Sequence, residues 1–184
     1  MIERIELRTE RLLLRPYRFD DVEDELVYRS DPEFARYLYH LPQPFTRRHA
    51  EGMVAVNVSE PWEKYQTFAV VLARRVIGTV NLEQDAENRI AMLGYAIGRD
   101  YWGKGIAPEA ARALIDWGFE TFKLAKIWAS TDARHERSWR VMEKLGMRRE
   151  GLLRSHSLAR GERHDSVHYG LLREEWEALR RYGP

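Results

Sequence analysis

Two glycines separated by a single residue stand directly ahead of a helix-like segment. They are Gly103 and Gly105 in the stretch YWGKGIAPEA. Glycine adopts positive φ at little steric cost and lets a ligand approach the backbone closely. The amides from about Gly103 to Ala107 would lie at a helix N-terminus, where the helix dipole favours an anion. The spacing therefore fits a diphosphate-binding turn. Taken alone, it favours the simpler interpretation of a turn that only starts a helix.

Two known phosphate-binding motifs do not match this stretch. The dinucleotide fingerprint G-x-G-x-x-G requires Gly or Ala where this chain has Pro108. A Walker A loop requires Gly-Lys-Ser/Thr, and no such triplet follows at the required spacing. Any phosphate site here would thus be of another kind, formed by backbone amides with Lys104 as an added positive charge.

A second group of titratable residues lies near the C-terminus. His156 and Asp165 would face each other across a predicted hairpin, with His164 and His168 nearby. Histidine titrates near neutrality and suits a general base, although ordinary surface or core histidines are the favoured interpretation. A metal site at His164-x-x-x-His168 is disfavoured, because Val167 and Tyr169 predict a strand, where those histidines lie roughly 13 Å apart.

Composition narrows the class of protein. The 184 residues include 30 Lys and Arg against 29 Asp and Glu, so no net charge drives binding to nucleic acid. Cysteine is absent, which excludes disulfides and Cys-ligated zinc and fits a reducing compartment. The charged N-terminus predicts no signal peptide, and no apolar run of about 18 residues predicts a membrane span. We expect a cytoplasmic protein with no metal, membrane or nucleic-acid partner.

The hydrophobic periodicity predicts alternating helices and strands around these motifs. A first strand ends near Pro16, and helices follow after Asp20, at Asp31-Pro32 and after Thr46. Predicted strands cover 66–73, 75–83, 89–98, 125–131, 147–158 and 163–172, with helices at 108–122, 135–146 and 173–182. This order indicates a single domain over residues 1–184. Its α/β (α+β) fold has a mixed, mostly antiparallel sheet of about seven strands flanked by helices.

Several segments together resemble one enzyme family. YWGKGIAPEA is similar to the acetyl-CoA pyrophosphate loop of the GNAT superfamily of N-acetyltransferases. HERSWRVMEKLGMRREG is similar to N-x-x-S-x-x-V-x-E-K-L-G-F-x-x-E-G of the branch that includes ribosomal-protein-alanine N-acetyltransferases. TERLLLRP and GTVNL also match that branch. The resemblance runs from Thr9 to about Leu172, and its ordered set of motifs favours the phosphate-binding interpretation of the glycine turn.

This resemblance implies a splayed sheet that holds acetyl-CoA between the strand ending at Gly98 and the strand near residues 127–130. Backbone groups of Ala96, Ile97 and Gly98 would pair with pantetheine. The remaining implied contacts are Trp102, Gly103, Lys104, Gly105, Ile106, Ala107, His135 and Ser138.

The residues that would move protons depart from the family pattern. Met142 stands where many members have a Tyr general acid, and Met92 stands where a strand carboxylate is usual. Ser138, one helical turn before Met142, matches the hydroxyl that members of the similar branch present near the sulfur, so the resemblance implies either a donor to the departing CoA thiolate or a residue that only caps or packs beside pantetheine. His156 is the candidate base.

The leading function is transfer of an acetyl group from acetyl-CoA to a primary amine by direct attack. Its acceptor would be a protein N-terminal α-amine, or instead a small amine such as a polyamine, amino acid or antibiotic. A non-catalytic acyl-CoA-binding module is the alternative outside the enzyme class, and a second copy of the chain, forming a homodimer, is a candidate partner. The acceptor pocket is expected between residues 20–58 and the last hairpin, where Asp20, Asp21 and Glu23 could attract an amine or simply start a helix.

Overall fold

The computed structural model describes residues 3–183. Its strands are β1 (Leu7–Arg8), β2 (Leu13–Arg15), β3 (Tyr65–Leu72), β4 (Arg75–Asp85), β5 (Ile90–Ile97), β6 (Lys126–Asp132), β7 (Arg148–Ala159) and β8 (Glu162–Leu172). Its α-helices are α1 (Val22–Arg29), α2 (Arg47–Ser59), α3 (Ile106–Phe122), α4 (Glu136–Lys144) and α5 (Arg173–Tyr182).

The strands form one sheet in the order β1-β2-β3-β4-β5-β6-β8-β7. Within residues 3–183 only the β5–β6 pair is parallel, so the predicted mixed and mostly antiparallel sheet is confirmed. The sheet has eight strands rather than about seven. The additional strand is β1, which precedes the predicted first strand, and the start of that predicted strand is instead a turn in which the Thr9 N–H donates to the Leu12 carbonyl at 3.0 Å.

β5 and β6 separate from each other after a short paired stretch. They pair only where Ile90–Met92 of β5 lies beside Lys126–Trp128 of β6. β5 continues to Ile97 and β6 to Asp132 without further pairing between them. A gap therefore opens in the middle of the sheet, in agreement with the splayed sheet that the family resemblance implies.

Each face of the sheet carries its own hydrophobic core. Leu93 and Ile97 of β5 pack with Leu114, Ile115 and Met142 in the core beneath α3 and α4. On the opposite face, which we call the α1 face, α1 and α2 cover β3 and part of β4. Met92 and Trp128 are in register on the α1 face, since their neighbours Ala91 and Ile127 belong to the core beneath α3.

Helix α1 buries a polar cluster beside the apolar residues that its helical spacing indicates. Val22 and Leu26 are partly buried against the core of the α1 face, whereas Val27 is 71% exposed. The fully buried position is Glu25, which bonds the buried Arg29 and two tyrosine hydroxyls. Hydrophobic periodicity misses Glu25 because four polar groups satisfy one another inside the core.

Within residues 3–183, no helix is both long enough and apolar enough to cross a bilayer.

Candidate functional site

A cleft of about 330 Å³ lies where β5 and β6 separate, and α3 and α4 form its walls. Nine of the predicted contact residues line it: Ala96, Ile97, Trp102, Gly103, Gly105, Ile106, Ala107, His135 and Ser138. Gly98 and Lys104 are not among the lining residues, and neither is His156. The other lining residues are Glu33, Phe34, Tyr37, Leu38, Tyr95, Tyr101, Pro108, Arg137, Arg140, Val141 and Lys144.

The glycine turn has the backbone geometry that its sequence suggested. Gly103 has φ of 73° and Gly105 has φ of 76°, in the region that favours glycine. Gly105 precedes the first residue of α3, and no side chain caps that helix end. Among residues 3–183, the N–H groups from Gly103 to Ala107 have no hydrogen-bond acceptor. The turn thus presents several free donors at a helix N-terminus, which suits an anionic ligand.

β5 directs alternate backbone groups into the gap. The Gly98 N–H donates to the Ile77 carbonyl of β4 at 2.7 Å, and Ala96 lies opposite Thr79 two residues earlier. In an antiparallel ladder the residues between such pairs point their backbone groups the other way. Tyr95 and Ile97 therefore offer N–H and C=O groups to the gap, whereas Gly98 does not. The Trp102 indole already donates to the Ile97 carbonyl at 2.5 Å.

Ser138 lies next to a tyrosine, Tyr95, that is not among the residues predicted from the sequence. The Tyr95 hydroxyl donates to the Ser138 carbonyl at 2.7 Å and lies 3.1 Å from Ser138 Oγ. Burial raises the pKa of Tyr95 above its usual value of 10, so the phenol stays protonated at neutral pH. The alternation of β5 could have indicated Tyr95, since it shares a face with Leu93 and Ile97. Met142, at the position of the usual family tyrosine, is buried in the core.

His135 lines the cleft directly before the first residue of α4. Its ring stacks on Tyr37, with ring centroids 4.4 Å apart, and its Nδ1 is 3.2 Å from the Thr131 hydroxyl. Burial, assisted by the charge of Arg137, lowers the pKa of His135 to about 4. The imidazole is therefore neutral at pH 7 and keeps one N–H to donate.

The depressed pKa of His135 predicts an acid-dependent loss of stability. Between about pH 6.5 and pH 4 the unfolded chain binds a proton at this position that the native protein does not. Stability therefore falls as the pH falls through this window, by up to about 3 kcal/mol from this residue. Urea unfolding of wild type and His135→Asn at several pH values measures it. We expect a shallower pH slope for His135→Asn, and equal slopes would contradict the assignment.

The predicted base lies on the last hairpin, away from the cleft. His156 is exposed on β7, and its ring meets the His168 ring edge-on with centroids 5.7 Å apart. His168 stacks on Trp128 of β6, which places this pair on the α1 face beside the gap. The Asp165 carboxylate accepts the Ser155 N–H at 2.8 Å, and within residues 3–183 it makes no hydrogen bond with His156.

The three acids considered for the acceptor have different surroundings. Asp21 is buried against Arg15, and Glu23 pairs with Arg47. Asp20 is exposed, with no ion-pair partner among residues 3–183.

Carboxylates on or beside the α1 face near the gap are also paired. Glu83 lies beside Lys64, Glu150 beside Lys126 and Asp132 beside Arg134. This part of the surface thus offers little uncompensated negative charge to a cation.

Three basic side chains stand on the α4 wall instead. Arg137, Arg140 and Lys144 recur at helical spacing and all line the cleft, and Arg140 pairs with Glu136 at 3.0 Å. Arg137 lies over the Trp102 ring at 4.8 Å from its centroid. Within residues 3–183, no group of three or more His, Asp and Glu side chains could hold a metal ion. The arrangement as a whole suits an elongated anion with an uncharged end near Tyr95 and Ser138.

Comparison with known proteins places this architecture in a family. Residues 11–148 match the acetyltransferase (GNAT) domain family. A GNAT-family acetyltransferase from Bacillus anthracis has a similar structure, with a TM-score of 0.84 and 31% identity, over 93% of this chain and 100% of that one.

Two curated relatives carry names that include an acceptor. A protein of Bacillus subtilis (strain 168), provisionally named a ribosomal N-acetyltransferase, is 38% identical over 54% of this chain and 55% of its own. The spermidine N(1)-acetyltransferase of Escherichia coli (strain K12) is 24% identical over 90% of this chain and 88% of its own.

Proposed function

This chain belongs to the GNAT family and is an acetyl-CoA-dependent N-acetyltransferase, and we propose that its acceptor is the α-amine of a protein N-terminus. One observation carries the assignment of the donor site. The free amides of the glycine turn and the Tyr95–Ser138 hydroxyl pair lie along one cleft between the separated strands. The first group fits a diphosphate and the second fits the reacting thioester.

The cleft suggests an order for the parts of acetyl-CoA. The diphosphate would bind the amides from Gly103 to Ala107, with Arg137 and Lys144 of α4 balancing its charge. The pantetheine amides would pair with backbone groups of Tyr95 and Ile97, which point into the gap. The acetyl thioester would then lie next to the Tyr95 and Ser138 hydroxyls.

The reaction is a direct displacement. The amine nitrogen attacks the thioester carbonyl, a C–N bond forms, and the C–S bond breaks to release the CoA thiolate. The hydroxyl of Tyr95 or Ser138 supplies a hydrogen bond and then a proton to that sulfur, and the proton that the acylated nitrogen releases restores the hydroxyl. The attacking ammonium must lose its proton first. We retain His156 for this step, working through water and His168, because it lies beside the gap rather than in the cleft.

The charge of the α1 face favours a peptide over a polyamine. A polyamine carries several charges and is held by unpaired carboxylates, whereas Glu83, Glu150 and Asp132 each face a cation. A peptide N-terminus brings one charge and a polar backbone. The name of the Bacillus subtilis relative points to the same class of acceptor, and that of the Escherichia coli relative to the other.

An assay of CoA thiol release tests the function. We expect acetyl-CoA-dependent turnover on peptides with free α-amines, and a kcat/KM at least about tenfold lower on spermidine. An N-terminally blocked copy of the best peptide should be inert, which shows that the α-amine is the site. CoA binding without turnover on peptides or small amines would contradict the enzyme assignment. Faster turnover on spermidine would contradict only the acceptor.

A further inference from the structure

The turn between β1 and β2 contacts the glycine turn on the side away from the cleft. Thr9 and Arg11 of this turn both reach Glu109 in the first turn of α3. Thr9 Oγ1 donates to Glu109 Oε1 at 2.5 Å, the Arg11 N–H donates to the same oxygen at 3.0 Å, and Arg11 Nε donates to Oε2 at 2.6 Å. One carboxylate thus fixes α3 to the N-terminal hairpin through three donors.

Arg11 makes one further bond, to the glycine turn itself. Its Nη1 donates to the Lys104 carbonyl at 2.9 Å. In a trans peptide the C=O and the following N–H point in opposite directions. Because the Lys104 carbonyl is turned toward Arg11, the Gly105 N–H is turned away from it. Gly105 lines the cleft and Arg11 does not, so this N–H faces the cleft.

We propose that Arg11, held by Glu109 and Thr9, is a positioning residue that fixes the glycine turn with its amides directed at the donor diphosphate before acetyl-CoA binds. The proposal rests on the proposed function and adds to it the Arg11 side chain, which does not itself contact acetyl-CoA. It also gives the motif TERLLLRP a role, since Thr9 and Arg11 are its first and third residues.

The physical reason lies in the two glycines. Gly103 and Gly105 lower the steric cost of positive φ, but they also leave the free turn many other conformations. Without an external contact, the conformational entropy lost in ordering this turn would weaken donor binding. The guanidinium fork of Arg11 satisfies the carboxylate and the carbonyl at once, which a lysine ammonium cannot do with the same geometry.

A comparison of two acetyl donors distinguishes this positioning role from a general effect on the structure. Acetyl-CoA carries the diphosphate, and S-acetylpantetheine does not. For Arg11→Met we expect the KM for acetyl-CoA and the Kd for CoA to rise about tenfold, with kcat within about twofold of wild type. The kcat/KM for S-acetylpantetheine should stay within about twofold. Arg11→Lys should resemble Arg11→Met, and Arg8→Met, in the neighbouring exposed strand, should resemble wild type.

The outcomes distinguish this proposal from the one that it rests on. Equal losses with both donors, or no loss with either, would overturn the role of Arg11. A wild-type protein that binds CoA without acetylating any amine would overturn the proposed function, and the Kd for CoA would still test Arg11. A wild-type protein that does not bind CoA would overturn both. Urea unfolding of each variant checks that the fold is retained.

Discussion

Glu25→Ala is expected to lower the free energy of unfolding by about 3 to 5 kcal/mol, the loss typical of a broken buried ion pair. Glu25 is fully buried, and its carboxylate accepts from Tyr17 Oη at 2.8 Å, from Tyr28 Oη and from Arg29 Nε. Arg29 is only 3% exposed. Removing the carboxylate leaves a buried guanidinium and two buried hydroxyls without their acceptor, and that desolvation cost explains the size of the loss.

Urea unfolding measures the loss of stability, and two further variants test whether the unpaired buried charge causes it. Glu23→Ala on the same helix removes an exposed carboxylate and should hardly move the midpoint. Glu25→Ala combined with Arg29→Met should recover part of the stability, because no buried charge is then left unpaired. A Glu25→Ala loss no larger than that of Glu23→Ala would contradict the interpretation.

The buried cluster around Glu25 also supports the donor cleft. Tyr28 lies against Gly98, where an added Cβ would come within 2.9 Å of the Tyr28 Cβ. Arg29 lies over the ring of Phe34, which lines the cleft. Loss of the cluster should therefore weaken acetyl-CoA binding as well as stability.

Elements with local signals were predicted well from the sequence. The last helix was predicted at 173–182 and is observed there, and the hairpin near Arg74 and the turn at Gly161 are also confirmed. The positive φ of Gly103 and Gly105 follows from the same kind of signal, since glycine punctuates turns by its own backbone preference. Such features depend on residues close in sequence, so the sequence reveals them.

Features that depend on distant residues were missed. Tyr95 reaches Ser138 across 43 positions, and Arg11 reaches Glu109 across 98. The buried polar face of α1 escaped for a related reason. Hydrophobic periodicity treats Glu25 as a surface residue, and only its hydrogen bonds with Tyr17, Tyr28 and Arg29 make its burial tolerable. Side-chain pairing in the folded protein, rather than local propensity, determines these contacts.

The Tyr95–Ser138 pair should control the departure of the CoA thiolate. Each hydroxyl can donate to the sulfur when the other is missing, since they lie 3.1 Å apart. We therefore expect kcat to fall by no more than about threefold in Tyr95→Phe or in Ser138→Ala, where one hydroxyl remains, and by about a hundredfold in the double variant. The KM for acetyl-CoA should change by less than about threefold, because the diphosphate contacts are intact. Tyr182→Phe, at an exposed position on α5, is the control.

A change of leaving group distinguishes the two possible roles of these hydroxyls, proton donation and simple packing beside pantetheine. An acetyl thioester of an aromatic thiol releases a thiolate of low basicity, which departs without a proton. If the two hydroxyls act as donors, the double variant should lose far less activity with that thioester than with acetyl-CoA. Equal losses with both thioesters, or an unchanged kcat in the double variant at every pH tested, would show that the pair has no role in proton donation.

Because Tyr95 stays protonated at neutral pH, its removal should lower the pH–rate profile without shifting it. A shift of the profile would instead be expected from His156→Ala, since a base must be neutral to accept the amine proton.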